Sequence, residues 1–199
     1  MYIFWDNSNI HISGLDAIRS VLEPQAPREL FRTNFKNLFK LVCNGRPVDN
    51  AYLSGSVPPP SDALWDYLKN MGIKLQLLNK TADGKEQESV DMSLQTMMLR
   101  TAIDNPPSTM AILTGDGASK QLGEGFLTDL KRIKEKFSWN FEIYAWNHTC
   151  SKELKFYAEH NGKFIDLENY YNSITYIQKD KKGIYEYFRP SDPLTNNIL

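Results

Sequence analysis

Short apolar runs alternate with segments of helical periodicity along most of this chain, and this alternation constrains its fold more than any other feature. Each run has the length of a buried strand, and each segment between two runs is long enough to cross back over a sheet. Strands that are joined by helical crossovers lie parallel, with helices on both faces. The pattern predicts an α/β fold with a mostly parallel sheet. The predicted strands are residues 2–5, 48–53, 74–78, 109–113, 140–146 and 163–167.

The predicted helices fill the segments between these strands. Pro27 suits the first turn of a helix, and apolar residues follow it at helical spacing, which predicts a helix over 27–42. Residues 15–22 are interpreted as a short helix or an ordered loop. Ser61 or Asp62 is a suitable cap for the helix that ends at residue 71. The remaining predicted helices are 89–104, 125–136 and 151–160.

The pattern changes after Tyr171. Residues 174–177 and 184–188 are rich in β-favouring side chains and flank a turn-forming segment, Asp-Lys-Lys-Gly, which predicts a β-hairpin. We therefore expect a main domain of residues 1–170 and a C-terminal hairpin with a loosely held tail, 171–199. An exposed hairpin edge is a candidate contact for a homodimer or a protein partner, and packing on the main domain is the alternative.

Composition limits the environment and the partners of the chain. The 199 residues are 41% hydrophobic and carry a formal net charge of −1, so any nucleic acid must be met by a local patch and not by overall charge. Cys43 and Cys150 form no C-x-x-C pattern, which favours a reducing compartment. No apolar run reaches membrane-spanning length, and the first residues are typical of a core strand and not of a signal peptide. We expect a cytoplasmic protein without membrane association.

Three aspartates stand where the predicted fold brings distant segments together. Asp6 and Asp116 each follow a predicted strand, and Asp91 falls near the start of a predicted helix. In open α/β sheets, ligands bind outside the carboxyl ends of the strands. Two carboxylates about 4 Å apart repel by roughly 4 kcal/mol at an effective dielectric constant near 20. A divalent metal ion with oxygen ligands relieves that repulsion, so the sequence predicts a metal site here.

Each aspartate also has an interpretation without catalysis. Asp6 opens an Asp-Asn-Ser-Asn stretch that suits a turn or a helix cap, and Asp116 lies in a Gly-Asp-Gly turn. Asp91 complements a helix dipole without further function, and Glu86 and Glu88 are rival carboxylates beside it.

Other polar residues surround the three aspartates in the predicted arrangement. Ser8 and Asn9 suit the orientation of a ligand or phosphate, and they suit a turn equally well. A phosphate-tracking groove needs cations on loops, although single lysines are usually only solvated. Glu124 is a candidate fourth carboxylate or a surface residue. The residues that we expect near substrate are Ser8, Asn9, Lys80, Lys85, Thr114, Ser119 and Lys120.

The motifs that contain the aspartates resemble those of the NYN domain family, a branch of the PIN-like nuclease fold, and its LabA-like members in particular. That family has an opening strand that ends in Asp, a helix with a Val-Asp pair, and a strand that ends in Ser/Thr-Gly-Asp. The resemblance extends over residues 1–168 and implies a PIN-like three-layer sandwich with a mostly parallel central sheet, to which the β-hairpin predicted from the pattern after Tyr171 is added. The matching segments are FWDNSNI, KEQESVDMSLQTMML and AILTGDGASKQLGEGF.

The resemblance implies a metal-dependent ribonuclease that hydrolyses RNA, with single-stranded substrate and endonucleolytic cleavage as the expectation. By residue-to-residue correspondence, Asp6, Asp91 and Asp116 hold Mg²⁺ or Mn²⁺, and Asn9 and Thr114 belong to the catalytic group.

One position departs from the family pattern. Many relatives carry a second acid two residues after the Gly-Asp aspartate, where this chain has Ala118. This favours an alternative, a catalytically weak or inactive module that binds RNA or a protein partner. Nucleotide-cofactor chemistry is disfavoured because the chain has no Walker loop and no G-x-G-x-x-G motif.

Overall fold

Six strands of the described chain form one parallel sheet. The computed structural model describes residues 1–57, 62–79, 86–117 and 125–194. Within these residues, the strand order across the sheet is β4-β3-β1-β5-β6-β7, and a separate antiparallel pair joins β2 to β8. The strands are β1 (Tyr2–Asp6), β2 (Phe31–Thr33), β3 (Asn50–Val57), β4 (Ile73–Asn79), β5 (Thr109–Leu113), β6 (Asn140–Ala145), β7 (Lys163–Asp166) and β8 (Thr175–Ile177).

Helices connect these strands and lie on both faces of the sheet. The first two helices are joined by a π-helical turn, Gly14–Ile18, so that helical structure begins directly after β1. No helix of the described ranges combines the length and the apolar character needed to cross a membrane. The helices are α1 (Asn7–Ser13), α2 (Arg19–Leu22), α3 (Phe35–Cys43), α4 (Asp62–Asn70), α5 (Glu86–Asp104), α6 (Phe126–Phe137), α7 (Lys152–Asn161) and α8 (Tyr171–Ile174).

Strand β1 lies at the centre of the sheet, between β3 and β5, and all five of its residues are buried. Successive side chains of a strand point to opposite faces. Ile3 and Trp5 accordingly pack with α3 and α4 in one core cluster. Tyr2 and Phe4 pack with α5, α6 and α7 in the other. The two clusters make a three-layer α/β/α sandwich, which confirms the predicted fold class.

The predicted helix over 27–42 is wrong in its first half. Residues Arg28–Leu30 form one 3₁₀ turn, β2 follows, and α3 begins only at Phe35. The side chain of Asn34 accepts a hydrogen bond from the backbone N–H of Asn37 at 3.0 Å, and so caps α3. Tertiary pairing with β8 decides the conformation of Phe31–Thr33, because it satisfies backbone groups that a helix would otherwise satisfy.

The C-terminal segment is antiparallel, as predicted, but its pairing differs from the expected hairpin. The chain reverses after β8 so that Ile177 exchanges backbone hydrogen bonds with Arg189, whereas residues 184–188 form no strand. The main partner of β8 is β2, on the other side. Both edges of β8 are therefore engaged within the chain, and the predicted dimer contact at an exposed edge loses its basis.

The start of the tail is held in place, in contrast to the expectation of a loose segment. Ser191 donates a hydrogen bond to the carbonyl of Thr175 at 3.1 Å, and the backbone N–H of Asp192 donates to the carbonyl of Asn172 at 2.9 Å. These bonds fasten residues 189–194 against α8 and β8. Residues 195–199 lie outside the described part of the chain.

Candidate active site

Asp6 ends the central strand and begins the first helix, so the fold fixes its carboxylate at the carboxyl edge of the sheet. Its side chain caps α1: Oδ1 accepts a hydrogen bond from the backbone N–H of Asn9 at 3.0 Å. Oδ2 accepts a second from the hydroxyl of Thr114 at 3.1 Å. Asp6 is only 2% exposed. The capping interpretation of Asp6 is therefore correct, and it places a buried carboxylate at the switch point of the sheet.

The loop after β5 brings Thr114 and Asp116, two further residues of the predicted site, close to Asp6. Thr114 is fully buried, and its Oγ1 accepts a hydrogen bond from the backbone N–H of Asp116 at 3.2 Å. The side-chain carbonyl of Asn9 accepts one from the backbone N–H of Gly115 at 2.8 Å. These bonds connect the start of α1 to the loop after β5. Asp6, Asn9, Thr114 and the half-buried Asp116 thus lie together at one edge of the sheet.

Two glycines allow this loop to pass close to the start of α7. A Cβ atom at Gly115 would lie 3.3 Å from Oδ1 of Asn9, and one at Gly117 would lie 2.5 Å from Oγ of Ser151. The backbone N–H of Ser151 also donates to the carbonyl of Gly115 at 2.9 Å. Only glycine fits at residue 117 without a shift of the neighbouring helix, which gives the second glycine of the Gly-Asp-Gly motif a structural reason.

Burial raises the pKa of Asp6 to about 6. The hydrogen bonds from Asn9 and Thr114 oppose this shift because they favour the charged form. The negative charge of Asp116 adds to the shift. Near neutral pH, Asp6 is therefore ionised but easily protonated, and a cation that binds beside it lowers its pKa.

The remaining residues of the predicted site lie partly or wholly outside the described part of the chain. Asp91 lies in the second turn of α5, but its side chain is outside the described part. Leu94, three residues later, is fully buried against the sheet, and residues three apart share one face of a helix. The predicted residues that lie outside the described ranges are Lys80, Lys85, Ala118, Ser119, Lys120 and Glu124; for Glu86 and Glu88, the side chains are not described.

The donor set that the structure does describe fits a hard divalent cation. Among the described side chains, no three of His, Cys, Asp and Glu lie close enough to hold a metal ion. The carboxylates of Asp6 and Asp116 provide two oxygen donors on neighbouring strand ends. No lysine or arginine of the described residues forms an ion pair with Asp6.

A cavity of about 680 Å³ has Asn7 and Ser8 in its wall, the two residues that directly follow Asp6 in the chain. Four distant segments of the chain line it, which belong to five elements: α1, β2 and the start of α3, α4, and β8. His11 lies in its wall, with Nδ1 2.9 Å from the hydroxyl oxygen of Thr33. Of the predicted substrate residues within the described ranges, Ser8 lies in the wall of this cavity, two positions after Asp6. The lining residues are Asn7, Ser8, His11, Ile12, Arg32, Thr33, Phe35, Leu64, Trp65 and Tyr176.

Comparison with known proteins relates the chain to one family and one fold. The NYN domain family matches residues 1–168. A crystal structure from Vibrio parahaemolyticus, of the protein of unknown function VPA0982, superimposes with a TM-score of 0.60. The two chains are 14% identical, and the similarity covers 83% of this chain and 91% of the other, which shows a shared fold. No curated protein matches the sequence. Since the family match covers most of the chain, the protein belongs to the NYN domain family.

Proposed function

We propose that this protein is a metal-dependent endoribonuclease that hydrolyses phosphodiester bonds of single-stranded RNA. Family membership implies a PIN-like nuclease fold. The observation that carries the finer proposal is the buried carboxylate of Asp6, which has no cationic partner among the described residues and lies beside Asp116. A carboxylate in that situation suits a metal ion better than it suits a structural role.

Asp6, Asp91 and Asp116 hold Mg²⁺ or Mn²⁺ in this proposal. The position of Asp91 supports its inclusion: α5 starts at the carboxyl edge of the sheet and packs against β1 and β3. When bound, a divalent cation supplies Lewis acidity for the activation of water and for the charge on the leaving oxygen.

Asn9 and Thr114 position the acidic group. The hydroxyl of Thr114 donates to Oδ2 of Asp6 and accepts from the backbone of Asp116, so one side chain fixes both carboxylate-bearing segments. Asn9 does the same from α1, through its bonds to Asp6 and Gly115. Both keep Asp6 ionised, because hydrogen bonds to a carboxylate favour its charged form.

The substrate side of the proposal rests on polar and basic residues around this edge. Ser8 opens towards the neighbouring cavity, and we place the RNA backbone between it and the loops that carry the predicted cations. We also assign residues 1–170 to the nuclease domain and 171–199 to its extension. Both cysteines are free, which supports action in the cytoplasm. The proposed phosphate contacts are Ser8, Lys80, Lys85, Ser119 and Lys120.

A second candidate function is a catalytically weak or inactive module that binds RNA or a protein. Ala118 favours it, because an acid at that position supplies a further carboxylate in many relatives. The two candidates differ in the need for Asp116: hydrolysis requires its carboxylate, whereas binding of the neutral groups of RNA does not.

The test compares Asp116→Asn with Asp104→Asn, a matched change at an exposed aspartate. We expect Mn²⁺-dependent cleavage of a labelled single-stranded RNA to fall by about a hundredfold or more in Asp116→Asn, as for the loss of a preorganised electrostatic group. The melting temperature without metal should stay equal or rise, because one repelling charge is removed. Asp104→Asn should cleave normally.

Undiminished cleavage by Asp116→Asn, in protein purified identically, contradicts the proposed mechanism. RNA binding without cleavage by the unmodified protein, in the presence of Mn²⁺, establishes the second candidate instead.

A further inference from the structure

The cavity that Asn7 and Ser8 line contains one permanent positive charge and, among its described lining residues, no acidic side chain. The charge belongs to the guanidinium group of Arg32, whose Nη1 donates to the carbonyls of Glu29 and Phe31 at 2.7 Å each. Within the described ranges, Arg32 forms no ion pair. Its Nε and Nη2 groups are further donors, and no described residue accepts from them.

The small antiparallel sheet holds Arg32 at the cavity. Arg32 of β2 lies directly opposite Tyr176 of β8, and residues that lie opposite each other in an antiparallel pair share one face. Phe31 and Thr33, on either side of Arg32, are buried. Because successive side chains of a strand alternate between its faces, Arg32 and Tyr176 point away from that core, and both line the cavity.

One face of α1 forms another wall of the cavity. Ser8, His11 and Ile12 line it and are three and four residues apart, which is the spacing of neighbours on one helix face. Burial lowers the pKa of His11, and the positive charge of Arg32 lowers it further. The imidazole is therefore neutral near pH 7, and it lies close enough to the guanidinium group to respond to its charge.

The carboxylates nearest to Arg32 in the chain have other partners. Asp16 pairs with Nε of Arg28 at 2.6 Å, and Glu29 accepts a hydrogen bond from the hydroxyl of Tyr185 at 2.5 Å. The side chain of arginine stays charged throughout the pH range in which proteins are studied. An anionic partner for Arg32 therefore has to come from outside the described residues, and guanidinium groups suit phosphate and carboxylate groups best.

The rest of the lining favours an organic ligand over a bare inorganic ion. Phe35 and Trp65 contribute aromatic surface, and Ile12 and Leu64 contribute aliphatic surface. Sites for small organic molecules combine apolar walls of this kind with a few polar groups, and the volume of about 680 Å³ lies within their usual range. A ligand with one anionic group and one apolar part uses both kinds of surface.

The number of donors favours phosphate over carboxylate. The hydroxyl groups of Ser8 and Tyr176 and the imidazole of His11 line the same cavity as Arg32. A phosphate monoester carries three strong acceptor oxygens, whereas a carboxylate carries two. We propose that this cavity binds an organic phosphate, with its phosphate group paired to Arg32 and its apolar part against the aromatic wall. The inference uses no residue of the acidic group and stands independently of the proposed nuclease.

The experiment measures binding by titration calorimetry in EDTA, with the full-length protein. The probes are phenyl phosphate, benzoate as the matching carboxylate, and phenol as the uncharged counterpart. Arg32→Gln removes the charge at the cavity. Arg28→Gln is its matched control, because the charge of Arg28 also lowers the pKa of His11, although Arg28 is not among the lining residues.

A second pair of variants tests the cavity itself. Ile12→Glu places a negative charge in the wall at a side chain that is 51% exposed, so the fold tolerates it. Val21→Glu makes the same change at a side chain that is 57% exposed and is not among the lining residues. Melting temperatures establish that each variant is folded, and Ile12→Glu keeps the test decisive if Arg32→Gln is unstable.

We expect phenyl phosphate to bind at one site, on the order of tenfold more tightly than benzoate or phenol. Arg32→Gln should lose about tenfold or more in affinity, as for the loss of a hydrogen bond between charged groups. Ile12→Glu should lose at least as much, because its charge repels the phosphate. Arg28→Gln and Val21→Glu should match the unmodified protein.

The histidine rings locate the bound ligand. On addition of phenyl phosphate, the ring ¹⁵N resonances of His11 should shift, because a neighbouring anion changes the field at the imidazole. Those of His148 and His160, which are both exposed, should not move.

Two oligonucleotides distinguish the source of the phosphate group, which is either a free ester or the end of an RNA strand. Tetra-uridylate is compared with and without a 5′-phosphate. Tighter binding of the phosphorylated strand, lost in Arg32→Gln, identifies a strand end. Equal binding of both strands, together with binding of phenyl phosphate, identifies a free ester.

Three results overturn the inference: no saturable binding of phenyl phosphate, binding of benzoate that is equally tight, or equal affinities in Ile12→Glu and Val21→Glu. None of them bears on the proposed nuclease, which the Asp116→Asn comparison tests by cleavage with Mn²⁺. A protein that cleaves RNA and does not bind phenyl phosphate retains its proposed function and loses only this site.

Discussion

Two buried carboxylates of this protein, Glu23 and Asp6, have pKa values that are shifted in opposite directions. Glu23 follows α2 and is 3% exposed, and Asp6 ends β1 and is 2% exposed. The pKa of Glu23 is lowered, because hydrogen bonds to its charged form outweigh its burial. The pKa of Asp6 is raised to about 6, because burial outweighs its hydrogen bonds. The lowered pKa of Glu23 fits a structural role, and the raised pKa of Asp6 supports its proposed role as a metal ligand.

Glu23 has a cation from its own chain. Nε and Nη2 of Arg189 donate to its two oxygens at 2.7 and 3.0 Å, and the hydroxyls of Tyr171 and Tyr187 donate at 2.8 and 2.7 Å. The guanidinium group of Arg189 also lies over the ring of Tyr171, 5.2 Å from its centroid. This cluster attaches the last segment of the chain to α2, and it needs nothing from solvent.

Asp6 has only neutral partners among the described residues. Asn9 and Thr114 donate to it, and Asp116 adds a repelling charge. A fold that pairs Glu23 with Arg189, and Glu142 with Arg46, is capable of neutralising buried carboxylates. The charge of Asp6, which no described residue neutralises, therefore supports the proposed site for an added cation.

The largest effect on stability should follow from Arg189→Met, which leaves Glu23 buried and unpaired. Removal of one member of a buried ion pair destabilises by about 3–5 kcal/mol. Urea unfolding at neutral pH measures this loss. As a control, Lys69→Met breaks an exposed pair with Asp66 and should cost no more than about 1 kcal/mol. Similar small losses in both variants would mean that the Glu23 cluster is not structural.

Asp6→Asn should raise the stability of the fold at neutral pH, in contrast to Arg189→Met. The pKa of Asp6 is about 6 in the folded state, against an ordinary value of 3.8. Its protonation therefore favours the folded state, fully below pH 4, and this contribution is lost as pH rises through about 6. The loss amounts to roughly 3 kcal/mol at 1.36 kcal/mol for each pKa unit. In EDTA, Asp6→Asn should therefore gain stability relative to the unmodified protein between pH 4 and pH 7.

The measurement is urea unfolding of both proteins across that pH range. Their difference isolates the titration of Asp6 from that of all other groups. A difference that stays constant with pH contradicts the raised pKa, and so contradicts the unpaired state of this carboxylate.

A smaller effect should follow from Thr114→Val, which removes one donor to Asp6 and keeps the shape of the side chain. We expect a loss of about 1–2 kcal/mol in stability at pH 8, where Asp6 is ionised, and less at pH 4. Cleavage should fall on the order of tenfold, as for other residues that orient metal ligands. Unchanged cleavage together with unchanged stability would exclude Thr114 from the site.

The elements that the sequence predicted well are the buried parallel strands. Residues 109–113 form β5 as predicted, and 2–5 fall within β1, because strands buried on both faces are continuous apolar runs. The prediction of a helix over 27–42 was wrong because Phe31–Thr33 pairs with β8, more than 140 residues later in the chain. Local periodicity contains no information about such a partner.

The polar residues at the strand ends and the cavity differ in the same way in how far local sequence predicts them. The proximity of Asp6, Asn9, Thr114 and Asp116 was predictable because they lie at or just after the ends of two neighbouring parallel strands, and strand ends meet at one edge. The cavity was not, since its lining comes from four segments that only the folded chain brings together. The bond between Glu23 and Arg189 spans 166 residues, and no spacing rule predicts it.

The most direct test of the central claim is anomalous X-ray diffraction from crystals of this protein grown with Mn²⁺. An added cation at the carboxyl edge predicts an anomalous peak within about 2–2.6 Å of carboxylate oxygens of both Asp6 and Asp116. Ordered density for both side chains at saturating Mn²⁺, without such a peak between them, would contradict it.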